Sequence, residues 1–153
     1  MFALFNKKRT VVESGVMSGF FDFHSHILPG VDDGSRGDDE SLEVLEWYEQ
    51  LGVSRVTFTP HIMERYPLNN AERLRQVFER FRGLYSGPIE LRLGAEYMLD
   101  SSFERYLEGG DMLTLWDDYL LMETSFASAP VRLYERLQRV MSSGYFVVLA
   151  HPE

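Results

Sequence analysis

Two of the chain's four histidines sit together in Phe21-Asp22-Phe23-His24-Ser25-His26, a spacing suited to seating a metal ion. In a strand, residues two apart face the same side, so His24 and His26 can present ring nitrogens to one ion at about 2.0–2.1 Å while Ser25 faces away. Asp22 stands in the same register and is expected to join as a ligand or to fix an imidazole tautomer from outside. His61, Glu96, Glu123 and His151 each fall at or just after the end of an apolar run. A carboxylate is costly to bury alone there, and coordination to a cation offsets that cost. Cysteine is absent. That excludes disulfides, thiolate ligands and cysteine-nucleophile phosphatase chemistry. The remaining donors, His, Asp and Glu, suit Zn, Mn or Fe without choosing among them.

The elements that must position these residues alternate. Gly19–His24 reads as a buried strand and Gly30–Gly37 as the loop after it. Asp38–Leu51 reads as a helix, with Asp38, Asp39 and Glu40 in its first turn, Leu42, Leu45, Tyr48 and Leu51 along one face, and Gly52 as its stop. Val53–Thr59 is strand-like, and Asn70–Tyr85 carries Leu74, Val77, Phe78 and Phe81 at helical spacing. Ile89–Ala95 alternates as a strand, Ser101–Leu107 is a short helix closed by Gly109-Gly110, and Tyr119–Glu123 is a further strand. Pro130 suits the first turn of a helix whose buried stripe is Val131, Tyr134, Leu137, Val140 and Met141, and Tyr145–Ala150 is a last hydrophobic strand.

Helices between strands, without hairpin signals, predict parallel strands joined by crossovers. His24 and His26 then end the first strand, His61 follows the second, Glu96 ends the third, Glu123 the fourth and His151 the fifth. In a (β/α) barrel these ends open at one mouth, whereas an open sheet concentrates its site at a switch point to which fewer strands contribute. The expected fold is an α/β, TIM-like barrel. Such barrels typically take about 250 residues. A chain of 153 residues ending on a fifth strand therefore predicts a barrel truncated after that strand, or a sheet completed by a second copy.

A content of 44% hydrophobic residues supports one domain, expected over residues 19–153, after a mobile or loosely docked N-terminal tail at 1–18. The 15 basic and 24 acidic residues give a net charge of −9, which disfavours nucleic acid and anionic membranes as partners. A phosphorylated substrate is repelled too unless bound cations reverse the local sign. The N-terminal segment puts Lys7, Lys8 and Arg9 after a short apolar run, the reverse of a secretory signal, and no apolar stretch is long enough to span a bilayer. A cytoplasmic protein without membrane insertion is expected.

The motifs together resemble a known family. Phe23-His24-Ser25-His26-Ile27-Leu28-Pro29-Gly30-Val31-Asp32-Asp33-Gly34, then Thr59-Pro60-His61, Gly94-Ala95-Glu96, Glu123-Thr124-Ser125 and Ala150-His151-Pro152-Glu153 are similar to the bacterial metal-dependent protein-tyrosine phosphatases of the PHP (polymerase and histidinol phosphatase) superfamily, of the CpsB/CapC type. The resemblance implies a distorted PHP-type barrel, a site of two or three divalent ions, usually Mn2+, and the metal ligands His24, His26, Asp33, His61, Glu96, Glu123 and His151, with Asp32 the less suited of its pair. It implies a phosphotyrosine protein as substrate, in the family a bacterial tyrosine kinase of capsule and exopolysaccharide control. The family's Asp-x-His pair and phosphate-holding arginines fall beyond Glu153. The expected nucleophile is a metal-bound water, with no side-chain nucleophile. Rival readings are another PHP phosphoesterase, such as a histidinol-phosphate phosphatase, and an inactive metal-binding fragment held by self-association.

Overall fold

The computed structural model describes residues 10–125 and 131–152. Its sheet is parallel in every ladder, as expected, but in seven segments rather than five: β1 (Phe21–Ser25), β2 (Arg55–Phe58), β3 (His61–Ile62), β4 (Glu90–Leu93), β5 (Glu96–Met98), β6 (Tyr119–Glu123) and β7 (Phe146–Leu149). These form two sheets, β1-β2-β4 and β3-β5-β6-β7. Thr59-Pro60 separates β2 from β3, and Gly94-Ala95 separates β4 from β5. Backbone bonds carry across both breaks: Thr59 N–H donates to Ser25 O at 2.8 Å, Gly94 N–H to Phe58 O at 2.8 Å, and Glu96 N–H to Pro60 O at 3.1 Å. Each strand path therefore lies beside its predecessor in sequence. That sequential order differs from a doubly wound open sheet, whose order reverses at a switch point. No ladder closes the sheets into a barrel among the described residues: β1 and β7, like β3 and β4, have one ladder each.

One reading of a strand end is corrected by these breaks: Glu96 opens β5 instead of ending the strand before it, while His61, which follows β2 as expected, opens the short β3. Simple alternation also fails in β1, where the register with β2 slips between Asp22 and Ser25. An extra residue in one strand bends it and re-aims its side chains.

Helix α2 (Asp38–Leu51) has the expected bounds. Leu45 is fully buried, with Leu42, Tyr48 and Leu51 packed around it, and Gly52 ends the helix at φ 81°, where a side chain would be strained. In α3 (Ala71–Arg82) the Asn70 side chain caps the Arg73 N–H at 2.9 Å, and Leu74, Phe78 and Phe81 are buried. Phe58 of β2 packs between Phe78 and Phe81, with both ring centroids 5.8 Å away. Helix α4 (Phe103–Gly109) buries Phe103 and Leu107 and stops at Gly110.

Helix α5 (Leu133–Ser142) departs from expectation. Of the proposed stripe only Val140 is buried, Leu137 is half-buried, and Val131, Tyr134 and Met141 are exposed. The helix lies on β7, an edge strand whose Phe146 is also exposed, so nothing described covers its outer face. Pro130 lies outside the described residues. At the other end, residues 10–18 of the proposed tail hold a helical turn, α1 (Val11–Ser14), opened by a Thr10–Glu13 capping box and without a buried residue.

Candidate metal centre

The loop after β1 sets the site. Gly34 packs so tightly on His26 that a Cβ there would overlap the His26 carbonyl oxygen and Cβ, and Ser35 N–H donates to His26 O at 2.9 Å. This close approach brings the Asp32 carboxylate against the His26 ring, Oδ2 to Nδ1 at 2.9 Å. Asp32 also accepts the Gly34 N–H at 3.0 Å and the His61 N–H at 3.0 Å, which ties the loop to β3. With Nδ1 so engaged, His26 turns Nε2 inward.

Glu96 is the centre of the cluster. Its Oε2 lies 3.2 Å from His24 Nε2, 3.2 Å from His26 Nε2 and 3.3 Å from His61 Nδ1, and its Oε1 lies 3.8 Å from His151 Nε2. His24 and His26 Nε2 are 3.3 Å apart. His61 Nδ1 meets Glu123 Oε1 at 2.9 Å, and its Nε2 faces Asp33 Oδ1 at 3.5 Å. Three triads result: His24–His26–Glu96, His26–Asp33–His61 and His61–Glu96–Glu123, each with donor atoms within 4.8 Å of one another. They share His26, His61 and Glu96.

These distances fit a cation. Donors about 2.1 Å from one ion in tetrahedral geometry stand about 3.4 Å from each other, close to the triangle that His24, His26 and Glu96 form. Both oxygens of the fully buried Glu96, Oε1 of Glu123 and Nδ1 of His61 lack a partner in hydrogen-bonding geometry. Buried polar atoms are rarely left so without an ion or water to meet them. The nearby imidazoles hold Glu96 by closeness and charge instead of aligned hydrogen bonds. Burial pushes the Glu96 carboxyl up, but His24, His26 and His61 outweigh it and bring its pKa to about 2. Burial likewise pushes His26 down, yet Asp32 and Glu96 raise it to about 10.

Six of the predicted residues thus gather in the triads, and His151 stands at their rim beside His24, with ring centroids 5.3 Å apart. Asp22 behaves differently from expectation: its carboxylate accepts the Tyr48 hydroxyl at 2.8 Å and the His24 backbone N–H at 3.2 Å, so it holds the backbone and not an imidazole. Ser25 faces away as expected, its hydroxyl donating to Thr57 O at 3.0 Å. Two neighbours escaped the sequence reading. Tyr66 stacks on His61 at 5.9 Å and 8°, and Asn69 donates to His61 O at 2.8 Å. Neither falls at an apolar boundary, so no pattern marked them.

Parallel strands that converge His, Asp and Glu side chains on overlapping triads define an α/β protein with a cluster of groups that could hold metal ions. The family described as capsular polysaccharide synthesis, CpsB/CapC, matches residues 20–153, and this chain belongs to it. Among curated relatives, the tyrosine-protein phosphatase YwqE of Bacillus subtilis (strain 168) is 29% identical over 136 residues, covering 86% of this chain and 54% of that protein. The tyrosine-protein phosphatase CpsB of Streptococcus pneumoniae is 30% identical over 138 residues, covering 86% and 56%. The putative tyrosine-protein phosphatase CapC of Staphylococcus aureus is 24% identical, covering 86% and 53%. A chain from the crystal structures of YwqE and CpsB, described as unique metal-dependent tyrosine phosphatases, superposes with a TM-score of 0.68 at 28% identity, over 86% of this chain and 55% of that one. This chain spans about half the length of the curated relatives it matches.

Proposed function

We propose that the chain carries most of the metal centre of a metal-dependent protein-tyrosine phosphatase, with His24, His26, Asp33, His61, Glu96, Glu123 and His151 as ligands. The observation that carries this reading is the buried Glu96 carboxylate without a hydrogen-bond partner, in a near-equilateral triangle with His24 and His26. The names of the relatives add the substrate, a phosphotyrosine protein, and the family description adds capsular polysaccharide synthesis. In our reading the ion is manganese, two or three per site, the partner is a bacterial tyrosine kinase of capsule or exopolysaccharide control, and the barrel is TIM-like and of the PHP type. The setting is the cytoplasm; no helix among the described residues is long and apolar enough to cross a membrane.

When bound, divalent cations supply a Lewis acid for the phosphate and an activated water as nucleophile. The chain's residues do the rest. Asp32 fixes the His26 ring so that Nε2 points inward, the Asp22–Tyr48 pair holds the His24 backbone, and Glu96 lies under the imidazoles, sealed from solvent. No side-chain nucleophile is required, and a phenolate leaves with little acid assistance.

The test is hydrolysis of a phosphotyrosine peptide by metal-stripped protein, before and after addition of Mn2+, Zn2+ or Mg2+, alongside measured metal content. Activity should vanish with a chelator, resist thiol alkylation and return best with Mn2+. Turnover that survives complete metal removal would end this reading, and faster turnover of a small aliphatic phosphate ester would move the substrate to the other PHP phosphoesterases.

A further inference from the structure

A cavity of about 240 Å3 opens beside the metal centre, lined in part by Gly30, Val31, Arg65, Tyr66, Asn69 and Arg73. It shares walls with that centre. The Tyr66 ring stacks on His61, and the Asn69 side chain donates to both His61 O and Val31 O, at 2.8 and 3.0 Å. No carboxylate lines it, whereas three other described cavities each carry at least one. In a chain of net charge −9 that contrast calls for a reason.

The two arginines sharpen it. Arg55, Arg75, Arg80, Arg82, Arg92, Arg132, Arg136 and Arg139 each meet a carboxylate. Among the described residues, Arg65 and Arg73 form no salt bridge, and Arg36 and Arg105, which also form none, lie outside this cavity. Arg65 lies over the Tyr66 ring at 5.5 Å, and Arg73 donates to the Asn69 amide oxygen at 2.6 Å. Each guanidinium has further N–H donors in a planar fork that matches a carboxylate or phosphate. Arg65 and His61 both lie against Tyr66, at 5.5 and 5.9 Å from its ring centroid, so the guanidinium and the His61 ring are at most about 11 Å apart. An extended peptide advances about 3.4 Å per residue, so that span is covered by up to about three residues.

We propose that this cavity is an anion subsite that takes an acidic side chain two or three residues from the phosphotyrosine of an extended peptide, with Arg65 and Arg73 as its specificity-determining residues. The inference rests on the phosphatase reading and adds a substrate class to it, acidic phosphotyrosine segments. The guanidinium pair recognises an anion, supplied by Glu, Asp or a second phosphotyrosine.

The experiment uses metal-loaded protein and four phosphotyrosine peptides differing at the second and third flanking positions: Glu, Gln, Lys and a second phosphotyrosine. Steady-state kinetics are run beside polarisation binding of the same peptides carrying a non-hydrolysable phosphonate. The Glu peptide should show a KM about five-fold below the Gln peptide, the scale of an exposed charge pair, with kcat unchanged. Arg65→Glu should abolish that preference and favour the Lys peptide, while para-nitrophenyl phosphate turnover stays at the parent level. Arg73→Lys, which keeps a donor to Asn69, should weaken the preference without altering thermal stability. A second phosphotyrosine that outperforms Glu would make phosphate the natural anion of the subsite. Equal KM for Glu and Gln peptides, or an Arg65→Glu variant with unaltered selectivity, overturns the subsite while para-nitrophenyl phosphate turnover keeps the phosphatase reading intact. Absence of that turnover overturns both.

Discussion

The middle of the sheet and its last edge are built from similar sequence but reach different ends. Glu96 and Glu123 sit on strands with a neighbour on each side, and both are almost wholly buried. His151 follows β7, which has one neighbour, and its side chain is 46% exposed, 3.8 Å from Glu96. The same contrast holds for helices. The apolar face of α3 buries Leu74, Phe78 and Phe81, while α5 leaves Tyr134 and Met141 in solvent, where Val131, just before it, also lies. A ligand is held rigidly when strands flank it on both sides; at an edge its position rests on fewer contacts.

The largest effect should come from the centre. Glu96→Gln keeps the shape but removes a charge shared by two triads, and metal affinity should fall by more than about a hundredfold, beyond what loss of an outer partner does. Calorimetric metal titration measures it, and an unchanged affinity would mean that centre and edge do not differ as described.

The pH dependence comes next. The His26 pKa, raised to about 10 from 6.5, means that its contacts stabilise metal-free protein fully below pH 6.5 and are lost as pH rises through 10. Glu96, lowered to about 2 from 4.5, contributes above pH 4.5 and loses that contribution as pH falls through 2. A cation must displace the His26 proton, so affinity should rise about tenfold per pH unit between pH 6 and 8, with protons released to the buffer. A flat profile would show that His26 carries no proton for the cation to displace.

Asp32→Asn removes the charge and one of the two acceptor oxygens that orient His26 and the loop, and should weaken metal binding by about 10–100-fold, with the fold intact by circular dichroism. His151→Ala should weaken it by less than about tenfold, the lower bound for an orienting partner. A loss as large as that of Glu96→Gln would show that the edge holds its ligand as firmly as the centre does. The smallest effect belongs to Tyr134→Ser on the exposed face of α5, where unfolding free energy should change by no more than about 0.5 kcal/mol. A buried aromatic such as Phe81 cut to Ala should cost about 3–5 kcal/mol. A comparable loss at Tyr134 would mean that something covers α5.

What the sequence determined by itself was local: α2 to the residue, the bounds of β6, the parallel crossovers and the donor residues at strand boundaries, because periodicity, capping and the price of an unpaired buried carboxylate are written in neighbouring residues. Family motifs extended this to Asp33. Only the tertiary structure decided that the strand paths break at Thr59-Pro60 and Gly94-Ala95, since proline has no N–H to offer and a break shows only when ladders are laid side by side. It also turned Asp22 toward Tyr48, set Asp32 behind His26, and placed Tyr66 against His61 with Arg65 beyond it. Those outcomes depend on which surfaces meet across the fold. The apolar stripe of α5 was legible as a pattern, but a pattern states only that a face is fit for burial. Whether it is buried depends on what lies opposite, and among the described residues nothing lies over Val131, Tyr134 and Met141.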